Sequence, residues 1–340
     1  MNSKQQLRAG DQSVNVQIDT VHTGLTYTDV RNMVIDLFKE NFPKLREEAA
    51  TIAMERAEEI TDRFLGRLAE VHPEAISNAR DPDMQMALLQ VQREYARTGD
   101  KELGELLVDM LVDRTSQAGR SMRQLVLNEA LNAAPRLTVA GIDILSIIWL
   151  VRNVRHGARN LQELHDALRR NLAPFAGVQA SFTELRHLEY AGCVSLGIEQ
   201  NDIIETTRLM YLGIFTNGFS KYDPDIKGLP IDVLTPCLRN PKRRVQLNML
   251  NQQMLDELVT QFGLEDHKQR LRTLLNKGAM TLPEVEQELL EAIPELRKIV
   301  DVWRSSLMKH ADLTSVGTAI GHANWRRVTG GTQDIETWLV

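Results

Sequence analysis

Three groupings of side chains in this 340-residue sequence have the types and spacing to do chemistry. The first is His165-Asp166, with His156 upstream, a pairing that a metal-dependent phosphohydrolase uses as ligands. Such a site needs a further His and Asp from separate helices, and Leu161, Leu164 and Leu168 explain the same segment as one amphipathic helix. The second is Glu105, Asp109 and Asp113, four apart on one helical face, whose oxygens suit a divalent cation. Adjacent acids more often mark a solvated face, and that is the expectation. The third is arginine-rich: Arg152, Arg155, Arg159, Arg169 and Arg170, followed by Arg186, with Arg239, Lys242, Arg243 and Arg244 further on. Guanidinium groups in such numbers are the material of phosphate contacts, and equally of surfaces paired to their own acids.

Familiar enzyme signatures are missing from the sequence: no GxxxxGK[ST] loop, no GxGxxG after a strand, no GxSxG elbow, no HExxH and no paired CxxC. No catalytic, cofactor-binding or metal-ligating residue is therefore assigned, no cofactor is expected, and a non-enzymatic role is favoured. An uncharacterised hydrolase with scattered carboxylates is the least favoured alternative. Cys193 and Cys237 stand alone, without metal or redox spacing, and read as buried small hydrophobes in a reducing compartment.

Composition sets the frame for the elements that carry these residues. Apolar residues are 43%, charged residues 25% and aromatics only 5%, with a net charge of −6. That balance excludes disordered and collagenous classes and favours helices. Mild acidity, with a pI near 5.8, argues against a molecule that coats nucleic acid over its whole surface. The polar N-terminus lacks an apolar targeting core, and the most apolar run, Leu137 to Val151, is about 15 residues where roughly 20 would span a bilayer. A cytoplasmic protein with no membrane contact is expected.

The expected fold class is mainly α and multi-helical, with a winged-helix-like middle domain and a short extended N-terminal segment. Residues 1–24 form the extended segment, 25–136 an N-terminal helical domain, 137–217 the winged-helix-like domain, 218–241 a Pro/Gly-rich linker and 242–340 a C-terminal helical region. Phe38, Phe42, Leu45, Ala49 and Ile52 make one apolar stripe, interrupted at Pro43; Ala53, Ala57, Ile60, Phe64 and Leu68 continue it after a one-residue shift. Asp81-Pro82-Asp83 starts a helix, and Thr98-Gly99-Asp100 turns the chain into the next. Helices are expected at 122–133, from Thr138 to about Val154, and from Asn160 to Leu172. Ser181-Phe182-Thr183-Glu184 reads as a capping box whose helix carries Phe182, Leu185 and Leu188 inward, Gly192 ends it, and a short strand follows at 193–196. Further helices are expected at 201–216, 242–261, 265–276 and 282–309.

Three helices and a strand over about residues 138 to 198 resemble a winged helix, whose commonest use is a recognition helix in the major groove. On that resemblance Arg152, Arg155, Arg159, Arg169, Arg170 and Arg186 are the candidate nucleic-acid contacts. Glu184 and Glu189 oppose them, because they would face phosphates on the recognition helix.

The order of Gln6-Leu7-Arg8-Ala9-Gly10-Asp11-Gln12-Ser13-Val14-Asn15-Val16-Gln17, Phe38-Lys39-Glu40-Asn41-Phe42, Asp81-Pro82-Asp83-Met84-Gln85, Tyr95-Ala96-Arg97-Thr98-Gly99-Asp100, Leu111-Val112-Asp113-Arg114 and Leu127-Asn128-Glu129 resembles an uncharacterised bacterial helical protein family with an N-terminal QxxAGDxSxNxQ segment. The resemblance runs nearly full length. It implies a bacterial or mobile-element setting, with stress response or phage defence as the expected context, and brings no reaction, cofactor or catalytic residue.

Within the N-terminal segment, Val14, Asn15, Val16, Gln17 and Ile18 alternate β-branched and amide side chains without charge, so copies could pair at strand edges through amide ladders. The preferred reading is a self-associating scaffold, sensor or regulator that forms a homo-oligomer and contacts protein partners; nucleic-acid-binding regulation through the middle domain is the alternative.

Overall fold

The computed structural model describes residues 26–41, 47–116 and 121–335. The chain is mainly α-helical, with five short strands among those residues. It divides after Arg136 into two compact units, and Asp334 and Ile335 belong to the first.

The first unit is built from α1 (Tyr27–Asn41), α2 (Glu47–Val71), α3 (Pro82–Thr98), α4 (Lys101–Thr115) and α5 (Met122–Ala133). α2 packs against α1, α3 and α4. Its buried face, Ala53, Ala57, Ile60, Thr61, Phe64, Leu65 and Leu68, is the shifted stripe of the sequence. Ile52 and Ala49, from the unshifted stripe, are exposed, and Phe42, Pro43 and Leu45 lie outside the described residues. Local chemistry sets the helix ends. The Asp81 carboxylate accepts from the N–H groups of Asp83 (2.8 Å) and Met84 (3.2 Å), with Pro82 in the first turn. Gly99 closes α3 at φ +65°, and the Asp100 carboxylate accepts from Leu103 N–H at 3.1 Å to open α4.

In the second unit, α6 (Val139–Arg152), α7 (Leu161–Asn171) and α8 (Phe182–Tyr190) precede β1 (Val194–Leu196). β1 pairs antiparallel with β5 (Ala311–Leu313), Ser195 facing Asp312, and α14 (Ser315–Thr329) then returns along α6. Between β1 and β5 come α9 (Ile203–Met210), β2 (Phe219–Ser220), β3 (Leu234–Pro236), β4 (Arg244–Leu247), α10 (Gln252–Phe262), α11 (Lys268–Gly278), α12 (Leu282–Ala292) and α13 (Leu296–Ser305). This intervening part has its own apolar centre, in which Leu212, Phe219, Val233, Leu247, Leu255, Leu271 and Leu274 pack together.

The structure differs from the sequence reading here in three places, each with a local cause. The Pro/Gly-rich stretch 218–241 carries β2 and β3, both hydrogen-bonded to β4 in the order β2-β4-β3, because Val245 and Leu247 alternate within a segment expected to be helix. The helix expected over 201–216 stops at Met210: Gly213 N–H bonds Leu250 O at 3.0 Å, and a Cβ at Gly213 would lie 1.9 Å from Met249 O, so only a bare backbone fits. The helix expected over 282–309 breaks at Ile293-Pro294 into α12 and α13, as the ring of Pro294 demands.

Candidate interaction surface

The frame of the second unit is the α6–α14 contact. Gly321 sits against α6 so closely that a Cβ there would be 2.7 Å from Leu145 O, and the Ser146 hydroxyl donates to Gly321 O at 3.0 Å. Asn324 is fully buried and satisfied on both sides: its amide donates to Asp143 and Ser146, each at 2.9 Å, while its oxygen accepts from Arg327 at 2.9 Å. Beside this network the rings of Trp149, His322 and Trp325 lie 5.1–5.7 Å apart, and Trp325 Nε1–H reaches Asn171 Oδ1 on α7 at 2.9 Å. At its other end α14 grips the turn that leads into β1, since Thr314 donates to Gly192 O at 2.6 Å and a Cβ on Gly317 would lie 1.9 Å from Cys193 O. Of these residues the sequence singles out Gly192, as a helix end, and Cys193, as a buried thiol; the signal for the contact itself is the run of small residues from Ser315 to Gly321, which lets two backbones approach.

On this frame α8 is set by both ends. The Ser181 hydroxyl accepts from Glu184 N–H at 3.0 Å, which is half of the expected box. Glu184 does not complete it, because its carboxylate instead accepts from the Thr138 hydroxyl at 2.5 Å and so ties the start of α8 to the start of α6. Leu185 and Leu188 are buried as expected, but Phe182 is 69% exposed. Leu185 and Leu188 fill the inner face, and Phe182, at the first position of α8, lies beside that face in line with the exposed Arg186 and Tyr190, at steps of four. Tyr190 is 86% exposed, its ring 6.4 Å from that of His187. Glu189 Oε1 accepts from Leu196 N–H at 3.2 Å, which holds β1 beside the end of α8, and Ile198 just beyond is 95% exposed.

The candidate arginines have different fates. Arg152 is largely enclosed and ion-paired to Asp312 on β5; burial pulls its pKa below the ordinary value against the opposing pull of that carboxylate. Arg169 pairs with Asp166 at 3.1 Å and donates to Ala292 O at 2.8 Å, and Arg186 pairs with Glu189 one turn on. Arg155, Arg159 and Arg170 are exposed and have no carboxylate partner among the described residues, although Arg155 donates to Gln253 at 2.9 Å. All three sit around the turn from α6 to α7 or on α7. Of the second basic cluster, Arg239 is paired to Glu288 and Arg244 donates to Gly218 O at 2.9 Å.

The other polar candidates are placed by packing. His165 lies on the buried face of α7 beside Glu288, only 7% exposed, and burial lowers its pKa. His156 is pushed down to about 4 by burial and by Arg170, and its ring meets Asn171 at 3.4 Å. Glu105 and Asp109 face arginines of α2, Arg63 at 2.9 Å and Arg67 at 3.6 Å, and Asp113 is buried. No group of three or more His, Cys, Asp or Glu side chains able to hold a metal comes together among the described residues. Cys193 and Cys237 are buried, and desolvation raises the Cys193 thiol to about 12. Val14, Asn15, Val16, Gln17 and Ile18 lie outside the described residues. No helix among the described residues is long and apolar enough to cross a membrane.

The fold thus defines the molecule as a multi-helical, mainly α protein. The chain belongs to the family whose model, described as ":-like", matches residues 24–339. No curated protein and no solved structure matches it.

Proposed function

We propose that this protein is a non-enzymatic, bacterial cytoplasmic scaffold, sensor or regulator that acts by self-association and protein contact, in a stress or phage-defence setting. One observation carries the reading: the outer face of α8 presents Phe182 and Tyr190 to solvent on either side of an arginine that is already paired within its own helix. Aromatic and arginine side chains with little charge to spare suit a protein partner better than a phosphate backbone. The order α6-α7-α8-β1, with β5 as the antiparallel return strand, is compatible with a winged helix whose hairpin connection has been expanded into residues 197–310. The N-terminal run 14–18 is a second pairing element in this reading. Light scattering on the full chain across a wide concentration range tests it: the mass should exceed the 38.5 kDa of one copy and fall on dilution, and a constant single-copy mass removes the proposal.

A second reading, nucleic-acid binding by the same unit, is favoured by Arg155, Arg159 and Arg170. Three phosphate contacts would give a salt slope of about −2.7 in log affinity against log salt. Replacing all three with Ala should abolish retention on duplex DNA. Binding that ignores salt, or survives the triple substitution, rejects this second reading.

A further inference from the structure

We infer that the outer stripe of α8 is a two-fold interface between copies of this chain, an inference that rests on the self-association proposed above and names its surface. The stripe runs Phe182, Arg186, Glu189, Tyr190: apolar, positive, negative, apolar. Read from the other end it runs apolar, negative, positive, apolar. Two copies laid antiparallel about a two-fold axis therefore set Arg186 of each against Glu189 of the other, and Phe182 of each against the far end, where Tyr190 and Ile198 are the exposed apolar groups. A parallel arrangement would put like charges together, so the face itself selects the antiparallel one. The exchange needs one oxygen of Glu189: its side chain is 31% exposed and keeps Oε1 on Leu196 N–H, while Oε2 meets Arg186, which is 57% exposed, in an i,i+3 surface contact worth little on its own. Phe182 and Tyr190 are separated by about 12 Å along the helix at 1.5 Å per residue. So short a face buries less than the roughly 800 Å² per partner of a standard stable interface, and the pairing should be weak and concentration-dependent.

Charge exchange makes the test specific. In the full-length protein Arg186→Glu should set two acids against two acids across the axis and raise the dimer dissociation constant at least tenfold, read as loss of mass by light scattering at fixed concentration. Glu189→Arg should do the same with two bases. An equimolar mixture of the two variants should recover a dimer of one copy each, because each contact across the axis then joins one acid to one base. Misfolding cannot produce that recovery. Since Glu189 also holds Leu196 N–H, Phe182→Ser, at an exposed position, provides an independent variant that should weaken pairing without touching that bond. If Arg186→Glu and Phe182→Ser keep the wild-type mass, the α8 interface is wrong while self-association stands. If the two charge variants are folded, single-copy and do not recover on mixing, the antiparallel register is wrong. A wild type that is a single copy at every concentration overturns both the interface and the reading beneath it.

Discussion

The α2 surface of the first unit and the α6–α14 contact of the second solve the same packing problem with opposite materials. α2 buries Ile60, Phe64, Leu65 and Leu68 in its apolar face and keeps its arginines at the rim, where Arg63 and Arg67 meet Glu105 and Asp109. There side-chain volume fills the gap between helices. Between α6 and α14 the gap is nearly closed by backbone at Gly321, with a fully satisfied Asn324 network beside it, and Gly317 repeats the close approach against Cys193, just before β1. The first kind of interface tolerates adjustment, because side chains can shift rotamer; the second does not, because main chain has nowhere to move.

The sharpest way to break that contrast is Gly317→Val. A Cβ there would meet the Cys193 carbonyl oxygen at 1.9 Å, so the second unit should lose at least ~3 kcal/mol and its thermal transition should drop by roughly 6–12 °C in calorimetry. A transition that does not move would mean that α14 sits less tightly on Cys193 than this distance requires.

A smaller effect belongs to His156. Its folded pKa of about 4 lies below the ordinary 6.5, so between these values the unfolded chain binds the extra proton and folding opposes it. The second unit is therefore fully stabilised, with respect to this group, above pH 6.5 and loses about 2–3 kcal/mol as pH falls toward 4. Urea denaturation at pH 7 and pH 4.5 should show the loss, and His156→Gln should flatten it. A profile unchanged by the substitution would assign the acid sensitivity to other groups.

The smallest and opposite effect is expected at Gly66 in α2, where a Cβ meets nothing within 4 Å. Gly66→Ala should stabilise the first unit by about 0.5–1 kcal/mol through helix propensity, visible as a modest rise in its denaturation midpoint. The same glycine-to-larger change thus helps in one unit and disrupts the other, and measuring both in one chain tests the distinction directly.

The first unit was legible in the sequence to a degree that the second was not. Asp81, Gly99 and Asp100 act within a few residues of themselves, and the stripe Ala53, Ala57, Ile60, Phe64, Leu68 repeats with the helix period, so their roles show in any short window. α14 carries small residues without a wide apolar stripe, so periodicity does not reveal it; its partners on α6 lie far away in the chain. Strand β4 hides for a related reason, because Arg244 to Leu247 becomes a strand only when β2 and β3 arrive on both sides. Phe182 was misplaced because aromatic identity argued for burial, while the inner face of α8 was already taken by Leu185 and Leu188.

The candidate surface shows the same division. By itself the sequence determined that arginines would gather near α6 and α7, that α8 would start at Ser181, and that the protein would be mainly helical, since each depends on residue type and on neighbours within a turn or two. Only the tertiary structure decided that Arg152 is spent on Asp312, that Arg155, Arg159 and Arg170 keep their charge without a carboxylate partner among the described residues, and that Phe182 and Tyr190 face outward. Those outcomes depend on which distant groups packing brings within a few ångströms, where desolvation and ion pairing become strong enough to choose between partners.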